Sequence, residues 1–480
     1  MREHLPRGLC YNVAEMPPRI SPIGLFVFVA VLCGAVMPGR AAPRQSAGDV
    51  RVPSAEFRPE TLLIFPFENE SRIADLDWLD EGLSELTVER LQGREWNVLS
   101  REDRLATLER LGLPDSARFS HATMVKIASE ADADAVIYGR FQSDGKTVRL
   151  EARVLRLNPP SLSPPLVETI AVQDLIRAHA LLTWRIICTL DPKQCPPERA
   201  NRDESSFSEP PPSLRLDALE NFVRAITGSD GEQRLRLLRE AARLMPAWDR
   251  PAFELGQIYF ERHDCDSALV WYSRVPPNRP DGPEASFATG VCHLARNDAA
   301  RAEAAFSVLL ERTRRPRAKD SLPELPEMHN NLGVARLRLG KWNEAATEFE
   351  RAAALDPAEA DYWINLGIAK LIGKQAAAAV TPLTRAREID ASDKDAQSLL
   401  LVALESLGRS ADAAEIRAEA ADNADKQAPP NIQDAAALAR LARVSMNLDR
   451  TLLRPGIETP ERQSTTGKGP RKVDSGGAPR

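Results

Sequence analysis

The chain has 480 residues, enough for two or three ordinary domains, so a disulfide-stapled miniprotein is excluded. With 28% charged and 43% hydrophobic residues it has the composition of a globular protein, not of a wholly disordered or polytopic membrane chain. The net charge is −6, but residues 1–51 carry +3 and residues 455–480 carry +2, which leaves −11 on the body. An acidic body has no field to collect phosphates, and nucleic acid is disfavoured as a ligand.

Residues 23–37 form a run of 15 apolar or small residues, short of the roughly 20 that span a bilayer. The run fits the apolar region of a signal peptide, with Arg19 before it and Gly39-Arg40-Ala41 offering small residues around a cleavage site. An uncleaved anchor through residues 20–37 is the rival, and either Met1 or Met16 serves as the start. Both alternatives place the body outside the cytosol, in the periplasm, with residues 1–42 as leader or anchor. Loss of the leader would leave Cys188, Cys195, Cys265 and Cys292 in an oxidising compartment. Cys188 and Cys195 flank a short turn, and Cys265 and Cys292 fall on neighbouring helices; four unpaired thiols is the alternative.

Residues 55–192 read as an α/β unit. The apolar run Thr61-Leu62-Leu63-Ile64-Phe65-Pro66-Phe67 predicts a buried strand, and Leu76, Leu79, Leu83, Leu86 and Leu91 recur at helical spacing. A second strand follows at Trp96-Asn97-Val98-Leu99, then a helix opened by the capping pattern Ser100-Arg101-Glu102-Asp103 and stopped by Gly112. Another helix over 125–131 leads into a strand at 133–139, a hairpin through Ser143-Asp144-Gly145-Lys146, a last strand near 167–172 and a helix over 174–190. Four motifs in this order, Ile64-Phe65-Pro66-Phe67-Glu68-Asn69, Asp77-Trp78-Leu79-Asp80-Glu81-Gly82-Leu83, Val98-Leu99-Ser100-Arg101 and Ala133-Asp134-Ala135-Val136-Ile137-Tyr138-Gly139, resemble the TolB-like amino-terminal domain. That domain is related in fold to the curli-secretion (CsgG-like) lipoprotein and FlgO-type flagellar domains. The resemblance implies an extracytoplasmic module for assembly and binding. No β-propeller follows, so the namesake's own role is not carried over.

Catalytic and metal motifs fail on inspection. Gly145-Lys146-Thr147 lacks the upstream glycine of a phosphate loop and sits in a strand–turn–strand context. Asp75, Asp77, Asp80 and Glu81 crowd a helix start, where the macrodipole favours acids without any cation. The six histidines have no metal-ligand spacing, and no nucleophile elbow or dinucleotide glycine pattern occurs. No cofactor, no metal and no enzymatic activity are expected.

Residues 193–213, with five prolines, read as an exposed linker. Beyond it Gly256 and Gly290 are 34 residues apart, as are Gly333 and Gly367. With each glycine at position 8, position 20 holds Ala268, Ala302, Ala345 and Ala379, and position 24 holds Tyr272, Phe306, Phe349 and Leu383. Period and signature resemble the tetratricopeptide repeat, two antiparallel helices per unit, and imply an all-α solenoid over residues 214–427. Flanking units are degenerate, and a basic insert around Arg314-Arg315-Pro316-Arg317 should loop out. A capping helix is expected within 428–454, over 432–448 with Leu438, Leu441 and Val444 on one face, and a disordered tail over 455–480.

In this family first-helix positions line a concave face, here Phe253, Gln257 and Phe260, then Phe287, then Asn330, Asn331 and Arg338, then Ile364, Asn365 and Ile368. Asn331 and Asn365, at position 6, resemble asparagines that bond the backbone of an extended peptide. Arg250 and Arg338 alone do not make a clamp for a chain-end carboxylate. The expected function is a non-enzymatic extracytoplasmic scaffold that holds a protein segment in an envelope assembly. The alternative is a sensory protein whose α/β domain binds a small ligand and whose repeats relay it. Membrane association is expected only through residues 20–37.

Overall fold

The computed structural model describes residues 60–71, 73–92, 94–115, 118–196, 200–208, 215–314, 322–421 and 434–448. The expected leader and the 455–480 tail lie outside the described residues, as do parts of the linker and of the insert near residue 316.

The first region is a mixed sheet with helices. Strands β1 (Thr61–Asn69), β2 (Asn97–Val98) and β3 (Ala135–Ser143) pair in parallel in the order β2-β1-β3. β4 (Thr147–Leu157) then pairs antiparallel with β3 and carries β5 (Pro160–Leu162) and β6 (Leu166–Ala171) on its far side. Parallel neighbours need crossovers, which helices α1 (Leu79–Leu91), α2 (Arg101–Arg110) and α3 (His121–Glu130) supply. Ser100 caps α2 in a reciprocal box with Asp103, as its sequence predicts. α4 (Leu175–Leu190) packs against β4 and β6 and contributes Leu182, Ile186 and Ile187 to the core over β1 and β3. Cys188 is bonded to Cys195, with Cα atoms 5.4 Å apart, while Cys265 and Cys292 are free thiols.

The linker holds a helix, α5 (Ala200–Ser208), whose Phe207 lies against Trp184 and beneath the guanidinium groups of Arg90 and Arg94. Proline spacing had suggested an exposed tether, but an aromatic residue between two arginines anchors the segment to the sheet region.

Among the described residues six helix pairs follow. They are α6 (Leu216–Thr227) with α7 (Gly231–Leu244), α8 (Asp249–Glu261) with α9 (Cys265–Tyr272), and α10 (Gly282–Ala295) with α11 (Ala299–Thr313). Then come α12 (Pro326–Arg338) with α13 (Trp342–Leu355), α14 (Ala360–Ile372) with α15 (Ala376–Ile389), and α16 (Lys394–Ser406) with α17 (Ser410–Ala421). The position-8 glycine allows the two helices of a pair to approach: a Cβ on Gly333 would stand 2.6 Å from the Phe349 ring, and one on Gly290 2.5 Å from Phe306. Sheet region and array are packed together. Trp78 and Leu86 of the first region join Phe222, Val223 and Trp248 in one apolar cluster, and Arg250 reaches Glu85 at 2.8 Å with both side chains buried.

The helix expected over 432–448 ends early. α18 spans Ala435–Leu441, and at Ala442 the backbone turns extended, with φ −61° and ψ 129°. α18 lies against α12 and α14, on the array's inner helices. The correction has a physical cause: the Arg443 and Ser445 backbone groups bond asparagine side chains of the array in place of their own helix.

Candidate functional site

The site is built on the inner helices α12 and α14. α12 starts at Pro326, whose missing N–H costs a first turn nothing, and α14 is capped by Glu359 accepting from the Asp361 amide. Helical spacing then places Asn330, Asn331 and Asn365 toward the concave side, and all three are 0% exposed. Amides so deeply buried must find partners. Asn365 donates to the Asn330 carbonyl at 2.7 Å, tying the two units together.

The remaining partners come from the chain's own carboxy-terminal segment. Asn365 accepts from the Arg443 amide and donates to its carbonyl, both at 2.8 Å. Asn331 does the same for Ser445, again at 2.8 Å each way. Asn330 donates to the Arg443 carbonyl and the Ser445 hydroxyl at 3.0 Å each. Residues 443 and 445 alternate as in a strand, where N–H and C=O of every second residue face one side. Each is gripped at both backbone groups, so the segment is read as an extended peptide.

Side chains add specificity. The Arg443 guanidinium bonds Asp361 at 2.7 Å, Asp393 at 2.6 and 3.0 Å, and Asp395 at 3.1 Å. Burial alone would lower the proton affinity of this guanidinium, but the bonds to Asp393 and Asp361 raise it. Asp393 also caps α16 through the Ala396 amide, so its carboxylate is held in place before any arginine arrives. Ser445 further bonds Tyr362, whose phenol is pushed up first of all by burial. Val444 and Met446 border an apolar cleft of about 140 Å³ with Phe260, Val291, Leu294 and Arg338.

The residues expected along the concave face therefore divide. Asn330, Asn331 and Asn365 hold the segment, and Phe260 and Arg338 border the cleft beside it. Arg338 donates to the Leu294 carbonyl at 2.7 Å, and burial lowers its pKa. Phe253 and Phe287 are interhelix core, packed on Tyr272 and Phe306, and Ile364 and Ile368 are wholly buried. Gln257 accepts from the Tyr272 hydroxyl at 2.7 Å and contacts Glu284, within its own pair and the next. Arg250 is absorbed by Glu85 and is no part of the groove. Sequence reasoning missed Asp361, Asp393 and Asp395. Asp361 and Asp395 both fall at position 2 of their units, so the repeat register carried that signal.

A second cleft, of about 450 Å³, opens where β1 ends and α1 and α2 begin. In a sheet of order β2-β1-β3 this is the point where crossovers depart in opposite directions, a usual ligand position. Trp78, Asp80, Arg101, Arg118 and Phe119 line it, and Arg224 of α6 stands at its rim. Burial, then the nearby Asp77 carboxylate, push Asp80 up to about 7, and one Asp80 oxygen has no hydrogen-bond partner. Among the described residues no cluster of His, Cys, Asp and Glu is arranged to hold a metal, and no helix is long and apolar enough to cross a membrane.

The tetratricopeptide repeat family matches residues 326–359, and a second description of that repeat matches residues 253–318. No curated protein matches the chain. Among solved structures, YrrB, described as a tetratricopeptide protein with an unusual peptide-binding site, is 16% identical at a TM-score of 0.33, covering 43% of this chain and 96% of its own. MamA from Desulfovibrio magneticus RS-1 is 20% identical at a TM-score of 0.33, covering 38% and 99%. The LpoB carboxy-terminal domain from Salmonella enterica is 13% identical at a TM-score of 0.21, covering 24% and 86%. With helix pairs, 34-residue register and family matches in agreement, the chain carries tetratricopeptide repeats, a protein-interaction module, behind a mixed α/β region.

Proposed function

We propose that the chain is a non-enzymatic scaffold whose concave repeat face holds an extended protein segment. The observation that carries this reading is the buried asparagine trio, which grips both backbone groups of alternate residues and so suits any chain presented as a strand. The α/β region, TolB-like by its four motifs, is the part we assign to docking on an envelope component. The apolar run at 23–37 supports an extracytoplasmic site of action.

Capture from a native envelope fraction tests the scaffold, comparing the unmodified chain with Asn331→Ala plus Asn365→Ala. Loss of a defined protein on substitution supports the groove; an unchanged catch refutes it. Phe287 is unsuited to this purpose because its truncation would open the interhelix core. For location, residues 1–60 fused to a reporter that folds only in an oxidising compartment should give activity, and a silent fusion would overturn the assignment.

The second cleft favours one further reading, a small-ligand sensor. Arg224 and Thr227 bring the first array helix into its lining, so a bound small molecule would touch both regions at once. A ligand of that kind should raise the melting temperature of the full chain, and a series of small anions and cations without any shift would dismiss it.

A further inference from the structure

The concave groove is already filled. Six hydrogen bonds link three wholly buried asparagines to the backbone or hydroxyl of Arg443 and Ser445, within the same chain. Three carboxylates from two successive units converge on one guanidinium. Ala442 and Leu448, at either end of the stretch, are buried in the array's own core cluster.

From this we infer that residues 442–448 are an internal occupant of the peptide groove, and that the partner taken up there is an extended segment of the same chemistry. That chemistry is an arginine entering the Asp361, Asp393 and Asp395 trio, then an apolar residue, then a small hydroxyl residue against Asn330 and Tyr362. The inference rests on the scaffold reading above and adds to it the ligand class and its regulation.

Three features carry it. The groove's recognition groups are complementary to this segment at backbone and side chain alike, which a generic cap would not need. Removal of the segment would leave the Asn365–Asn330 bond in place and open the other asparagine groups to water or to another strand, so a competitor can replace every bond that it breaks. The segment belongs to the same chain as the groove, and a covalently joined occupant competes at an effective concentration on the order of millimolar. A free peptide with the same contacts must therefore compete at a strong disadvantage. A multivalent or locally concentrated partner, or one that grips a second surface, overcomes it. The arginine clamp is partly exposed, the Arg443 side chain being 26% accessible, so exchange is eased by salt.

The test uses the full chain, the full chain carrying Arg443→Glu and Ser445→Pro, and a fluorescein-labelled synthetic peptide with the sequence of residues 438–448. Both substitutions lie in the segment and leave every residue of the array unchanged. Glutamate repels the aspartate trio, and proline removes the Ser445 amide that Asn331 accepts. Fluorescence anisotropy should show the peptide binding the substituted chain at least tenfold more tightly than the unmodified one. A peptide carrying Arg443→Ala should bind the substituted chain at least tenfold more weakly than its parent. Circular dichroism melting reports whether the array stays folded, and Ser445→Pro alone serves if the double substitution unfolds it.

Equal, measurable binding to both chains would overturn self-occupation while leaving the groove a peptide receptor. Binding to neither folded chain would overturn the inference together with the scaffold reading. An unmodified chain that is dimeric by light scattering, with its peptide affinity rising on dilution, would show the segment exchanged between copies and overturn occupation within one chain.

Discussion

Replacing Glu85 by alanine should damage the joint between the sheet region and the array. The pair is made by α1 and α8, its N–O distance is 2.8 Å, and the side chains of Arg250 and Glu85 are 11% and 6% exposed. Burial pushes the Glu85 carboxyl up, and Arg250 pulls it back. At 2.8 Å from a guanidinium that is itself held charged by Glu85 and Asp281, the two groups form an ion pair. Breaking a buried pair leaves an uncompensated charge and costs about 3–5 kcal/mol. Asp281, 3.8 Å from Arg250, and the Phe222 ring, 5.5 Å away, recover part of this, so the lower end, about 3 kcal/mol, is expected. Glu85→Gln should cost less, because the amide oxygen still accepts. Glu85→Leu with Arg250→Met should cost less than Glu85→Ala alone, since no charge is then stranded. Urea unfolding read by Trp78 and Trp248, which belong to the joint cluster, gives these values directly. A loss below about 1 kcal/mol for Glu85→Ala, the range of exposed pairs, would refute the buried joint.

Asp80→Asn should stabilise the chain near pH 8 and flatten its pH dependence. The carboxyl is raised to about 7, so the native state holds a proton that the unfolded state releases near 4; stability is full below that value and is lost as pH rises through 7. Melting temperatures between pH 5 and 8 check it, with a fall of about 1 kcal/mol expected after screening, and an identical profile for the variant would contradict it. Gly333→Ala gains about 1 kcal/mol in helix propensity but drives a Cβ to 2.6 Å from Phe349, so a net loss of about 1–2 kcal/mol is expected in thermal unfolding. A net gain would show that the pair packs less closely. Cys195→Ser opens a loop of sequence separation 7 and should cost about 2 kcal/mol in the oxidised protein, with no effect once both are reduced. An equal cost under reducing conditions would show that the serine, not the missing bond, is responsible.

The repeat units were legible because packing writes them locally. A glycine at position 8 and a bulky residue at position 24 of the same unit meet, and a side chain on the glycine would collide with it. The sheet region was legible for the same reason, with strands and helices each announced by their own period; the short β5 edge was the addition. The asparagines at positions 5 and 6 were visible, but not their partner. Asn330 and Ser445 are 115 positions apart, and no local pattern links them. Leu438, Leu441 and Val444 keep helical spacing past the point where the helix stops, so periodicity extended α18 by seven residues. Phe253 and Phe287 were expected to face the groove and are interhelix core, since the repeat register gives their position but not the direction of the side chain.

Hydrogen exchange of residues 442–448 in the unmodified chain tests the central claim most directly. The Arg443 and Ser445 amides each donate to a wholly buried asparagine oxygen at 2.8 Å, although the segment lies in no helix or sheet ladder. They should exchange slowly, and Asn331→Ala with Asn365→Ala should return them to the rate of an unstructured chain. Exchange at that unprotected rate in the unmodified protein would contradict a groove that recognises extended backbone.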